Sequence, residues 1–139
     1  MEQNRSLGLL SICRKGGNIV LGEEQVGAQA RARRARLVIL ASDAGGHTVR
    51  RAKSFVAGTS QRLITLPYTK DELGDALGTT SCAIAAITDV RLAQSFVKTL
   101  SEPEKYAELL EELDARVKRV EQRRAEEKAH RRNVRFGKK

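Results

Sequence analysis

The chain has 139 residues, 40% apolar but only 4% aromatic, with a formal net charge of +9 and a pI near 10.1. That length suits one domain with an aliphatic core, and the charge calls for an anionic partner, nucleic acid first and a membrane surface second. No run of about 18 apolar residues exists, so nothing is expected to span a bilayer, and the opening "MEQNRSLGLLSICRKGG" reads as neither a signal peptide nor a transit sequence.

Leu9, Leu10, Ile12 and Cys13 form the apolar stripe of a first helix. The "RKGG" at Arg14 to Gly17 stops it, because glycine takes the left-handed conformation that a helix end needs. A short extended piece, Asn18 to Leu21, leads to Gly22, which opens a second helix. Glu23 and Glu24 lie in its first turn, where carboxylates suit the positive end of the dipole. Its far end is basic, with Arg31, Arg33, Arg34 and Arg36. Leu37 to Ala41 is a continuous apolar run, the pattern of a strand covered on both faces. A third helix carries Val49, Ala52, Phe55 and Val56. A strand follows over Arg62 to Leu66, stopped by Pro67. Thr69 and Glu72 have capping-box spacing for a short helix that ends at Gly78. Cys82 to Ile87 is a last strand, and Asp89 or Thr88 is expected to cap a fifth helix bearing Ala93, Phe96, Val97 and Leu100. This alternation predicts an α/β fold: a three-layer α/β/α sandwich on a four-stranded mixed sheet, over residues 1–100.

Residues 101–139 differ in composition. Ser101, Pro103 and Glu104 form a helix-start signature, and Tyr106, Leu109 or Leu110, Leu113, Val117 and Val120 continue a stripe. A charged helix is therefore expected from Pro103 to about Arg119, fraying into the basic tail "RRNVRFGKK". Residues 1–100 hold 14 Lys+Arg against 8 Asp+Glu, and the remainder 12 against 9. Most of the excess charge thus belongs to the folded part.

Cys13 and Cys82 lack CxxC spacing and sit in apolar surroundings, so both read as reduced core residues in a cytoplasmic protein. His47 and His130 are too few and too scattered to suggest a metal site. Neither GxGxxG nor GxxxxGK[ST] occurs, so no cofactor is expected. Ser42, Asp43 and His47 offer hydrolase residue types, but closeness along the chain does not make triad geometry. Asp43 or Thr48 reads more simply as the cap of the third helix. The turn "VLGEEQV" is a better candidate site. Backbone N–H groups behind Gly22 can hold a phosphate, Glu and Gln side chains there can accept from a guanine edge, and Arg33, Arg34 and Arg36 can contact the phosphate backbone.

The order "LLSICRKGGNIVLGEEQV…ARLVILASDA…KDELGDALGTTSCAIAAITD" resembles the kink-turn-binding ribosomal protein family, which includes archaeal L-seven-Ae and eukaryotic L-thirty-e, and within it the bacterial YlxQ-like members. The resemblance covers about residues 5–100. It implies non-catalytic binding of structured or ribosomal RNA, with ribosomal or translation proteins as further partners, by a protein expected to be monomeric. It implies base contacts from Gly22, Glu23, Glu24 and Gln25. It also implies a second loop, Thr79, Thr80, Ser81 and Cys82, closing over exposed nucleotides. Glu24-Gln25 stand where the archaeal pattern has Asn-Glu, and Ala28 stands where it has lysine. Two other readings are open: a protein-interaction module whose C-terminal helix forms a coiled coil or docks on a partner, and a small hydrolase using Asp43 and His47.

Overall fold

The computed structural model describes residues 2–135, with side-chain burial and contacts over 5–132. Phe136 to Lys139, the end of the expected basic tail, lie outside the described residues. The elements are α1 (Glu2–Lys15), β1 (Ile19–Leu21), α2 (Glu23–Arg31), β2 (Leu37–Leu40), α3 (Gly46–Val56), β3 (Leu63–Thr65), α4 (Lys70–Leu77), β4 (Ile84–Ile87), α5 (Val90–Thr99) and α6 (Ala107–Arg135).

The four strands form one mixed sheet in the order β1-β4-β2-β3. β4 runs antiparallel to both β1 and β2, and β3 is parallel to β2. The central strands β2 and β4 are buried along their whole length. Their side chains alternate between two apolar layers, as the pleat requires. Leu37, Ile39, Ala85 and Ile87 face the layer made by α1, α4, α5 and the first part of α6. Val38, Leu40, Ile84 and Ala86 face α2 and α3, where Val26, Ala30 and Ala52 complete the packing. The expected three-layer sandwich is the observed one.

Local signals placed most helix ends. Thr69 and Glu72 make the reciprocal capping box of α4, and Gly78 closes that helix at φ 75. Asp89 caps α5 by accepting from the Leu92 N–H at 3.0 Å. Cys13 and Cys82 are both buried and free. Burial pushes both thiols up; Asp89 reinforces the shift at Cys13, whereas a hydrogen bond and the charge of Arg14 partly offset it at Cys82. No described helix is long and apolar enough to cross a membrane.

The cap of α3 differs from expectation. Its N-cap is Gly45, with no side-chain hydrogen bond. Asp43 instead accepts from the Lys70 N–H at 2.8 Å, on the first residue of α4. The carboxylate thus satisfies one of the four N–H groups that a helix start leaves unpaired, but on a helix reached across the β2–β3 connection. Asp43→Ala should cost about 1 kcal/mol through this lost bond. His47→Ala should change stability by less than about 0.5 kcal/mol, as an exposed side chain away from the core. Urea titrations of the two variants test both values.

The composition changes at Leu100, but the core continues. Tyr106, Leu109, Leu113 and Val117 are buried in the same cluster as Phe96 and Val97. The helix begins at Ala107, later than the Pro103 signature suggested, because Ser101 turns the chain at φ 58 and Pro103 to Tyr106 form turns. It then continues to Arg135, well past Val120, where the stripe ends. Glu121 to Arg132 are exposed throughout.

Candidate nucleic-acid interface

Two loops far apart in the chain meet at one end of the sheet. Leu21 pairs there with Ala85 and Leu40 with Ile84, so β1 delivers Gly22 next to the start of β4. The Gly22 N–H donates to the Ile84 carbonyl at 3.0 Å. Gly22 has φ 89 and ψ 157 and gives α2 no side-chain cap. A Cβ there would meet nothing, so glycine is required by the backbone angle and not by space. Among the described residues no side chain caps the first turn of α2.

Opposite stands the α4–β4 loop. The Cys82 N–H donates to the Lys70 carbonyl at 3.0 Å, and the Ala41 N–H to the Ala83 carbonyl at 2.9 Å. Gly74 sets how closely this loop lies on α4: a Cβ there would come within 2.7 Å of the Thr80 carbonyl and 2.8 Å of the Ser81 backbone. Leu21, Gly22 and Glu23 from one loop, with Thr79, Ser81 and Cys82 from the other, line a groove of about 270 Å³. Beside it, Arg14, Val20 and Gln25 line a second concavity of about 300 Å³.

The expected site residues separate into three groups. Gly22, Glu24, Gln25, Thr79, Thr80 and Ser81 are exposed around this end. Glu23 and Cys82 are otherwise engaged. Glu23 accepts from Thr48 Oγ1 at 2.8 Å, lies 3.3 Å from Arg51 and has His47 at 3.9 Å. It ties α2 to α3, so its oxygens are already partnered. Arg51 in turn sits over the Phe55 ring. Cys82 is 5% exposed and directs its sulfur at the Ile84 carbonyl, so it belongs to the core and offers nothing to a base. Arg33, Arg34 and Arg36 lie at the opposite end of α2, nine residues or about 14 Å from the Gly22 turn at 1.5 Å per residue. The structure does not bring them to the groove.

A cation that stands near the groove is Arg14. It lines the concavity with Gln25, and its charge reaches the Cys82 thiol. Its sequence signal was the "RK" before the two glycines, which reads equally as a dipole-complementing helix end. The hydrolase candidates do not converge: among the described residues no hydrogen bond joins Ser42, Asp43 and His47, and Asp43 and His47 face different elements.

Solved structures share this architecture. A protein of unknown function from Bacillus halodurans C is 25% identical, with a TM-score of 0.65, over 70% of this chain and 97% of that one. The Giardia lamblia 15.5kD RNA binding protein is 20% identical, with a TM-score of 0.59, over 71% of this chain and 84% of that one. No family model and no curated protein matches the chain. The chain is thus similar in fold to α/β/α proteins that include an RNA binder.

Proposed function

We infer that the protein is a non-catalytic binder of structured RNA, and that it holds a kink-turn-like element at the Gly22 end. The observation that carries this reading is the groove itself. The two loops that the family resemblance pairs are separated by most of the domain in sequence, yet they line one groove of about 270 Å³. The Giardia protein of the same fold supports the reading by its own RNA binding, and the net charge of +9 supports an anionic partner. Exposed Glu24 and Gln25 would read base edges, the N–H groups behind Gly22 would face a phosphate, and Thr79 to Ser81 would cover unstacked bases. Ribosomal RNA in the translation apparatus is the natural source of such an element for a cytoplasmic member of that family.

Glu24→Ala/Gln25→Ala should reduce the preference for a kink-turn over a plain duplex by about 1–3 kcal/mol per lost base contact. Its salt dependence should stay that of the wild type, because neither residue neutralises a phosphate. Titration of both RNAs across a salt series makes the comparison. Unchanged preference in the double variant would remove the Gly22 turn from the base-reading role.

A further inference from the structure

At the end of the domain away from the Gly22 groove, five guanidinium groups converge. Arg33 and Arg36 come from the α2–β2 connection. Arg116, Arg119 and Arg123 come from successive turns of α6, where spacings of three and four residues share a face. Together they line a cavity of about 330 Å³. The setting is built. Buried Gln61 accepts from the Ala35 N–H at 3.1 Å and donates to the Ala30 carbonyl at 3.1 Å, which fixes the loop carrying Arg33 and Arg36. Arg116 donates to the Ser60 carbonyl, which pins α6 against the same turn. Among the described residues Arg33, Arg36, Arg119 and Arg123 pair with no carboxylate, whereas neighbouring Arg62 and Arg91 pair with Glu112 and Glu121. Two acids of α6 are thus paired outside the cavity, and among the described residues no carboxylate lines it.

Like charges gathered in one cavity repel unless an anion joins them, and a planar guanidinium fits a phosphate with two parallel hydrogen bonds. We propose that this arginine cavity is a second nucleic-acid site, which grips the phosphate backbone of a helical stem flanking the element held at the Gly22 groove. The proposal rests on the RNA-binding reading above and adds a separate surface to it. A lipid surface fits less well, because an apolar anchor is missing: the large exposed apolar side chain among the described residues is Ile12, on α1, and it does not line this cavity.

The test compares one kink-turn RNA with a short stem and the same RNA with its stem extended by a helical turn, each across a salt series. Arg119 and Arg123 are exposed and unpaired, so Arg119→Gln/Arg123→Gln should leave the fold intact. The control is Lys118→Gln/Lys128→Gln, which removes the same charge at positions about 140° round the helix from the cluster. Wild type should bind the extended RNA more tightly than the short one. The arginine variant should lose that gain, by roughly 10-fold at low salt, and its log–log salt slope should fall by about 2. The lysine control should change either affinity by less than about 3-fold. Equal losses in the two variants, or no gain from the longer stem in wild type, would overturn the second site while leaving the groove reading intact. Failure of wild type to bind either RNA would overturn both.

Discussion

Gly74→Ala should destabilise the protein by about 1–3 kcal/mol, although alanine is the better helix former. Two terms oppose each other. In a helix interior alanine gains about 1 kcal/mol over glycine. At this position the new methyl would lie 2.7 Å from the Thr80 carbonyl and 2.8 Å from the Ser81 nitrogen and Cα. All three atoms are backbone, so no rotamer change relieves the contact, and overpacking of this kind costs about 1–3 kcal/mol beyond what local propensity returns. The loop must then move away from α4, and it carries Thr79, Thr80 and Ser81. On the RNA-binding reading, affinity should fall with stability while the salt slope holds, because no cation is removed. Gly8→Ala is the matching control, since a Cβ at that helical glycine meets nothing, and it should raise the melting temperature. If Gly74→Ala melts at or above the wild-type temperature, the close approach of the loop to α4 is wrong.

That glycine marks the boundary of what the sequence could disclose. Features set by a few adjacent residues were legible: the Thr69–Glu72 capping box, the Asp89 cap, the left-handed Gly78 and the doubly buried runs of β2 and β4. Each is decided by local geometry or by side-chain period. Features set by contacts across the fold were not. Asp43 sits beside α3 in sequence and reads most simply as its cap, yet its partner is Lys70. Glu23 looked like a free carboxylate on a helix start, but Thr48 and Arg51 occupy it. Arg33, Arg34 and Arg36 follow the Gly22 turn closely in sequence, but α2 carries the chain to the other end of the sheet before they appear. Within "ELGDALG", Gly74 has no local signature at all, because its role comes from the Thr80–Ser81 backbone that folds onto it.

The reading of residues 101–139 turns on the same distinction, and it sets the largest expected effect. A stripe at three- and four-residue spacing fits a coiled-coil seam or a helix laid on its own core equally well. Here Tyr106, Leu109, Leu113 and Val117 are used inside the domain, beside Ala93, Phe96 and Val97 of α5. Arg62 holds Glu112 at 2.8 Å and Arg91 holds Glu121 at 3.0 Å along the seam. The stripe is therefore not free for a partner helix. Beyond it the helix is charged on all sides and holds nothing in the core. Truncation after Val120 should accordingly preserve the wild-type melting temperature within a few degrees. Truncation after Leu100 should leave a fragment that is largely unfolded. Large core side chains contribute about 2–5 kcal/mol each against truncation, and the fragment loses four buried side chains at once, against a total stability on the order of 5–15 kcal/mol for a domain. Leu113→Ala alone, at a fully buried position, should cost about 2–5 kcal/mol. What α6 covers is the apolar outer face of α5, with Ala93, Phe96 and Val97 in the same buried cluster. Circular dichroism melts of the two fragments and the point variant decide the matter. A fragment 1–100 that unfolds cooperatively near the wild-type temperature would show that α6 is an appendage whose stripe is available to a partner after all.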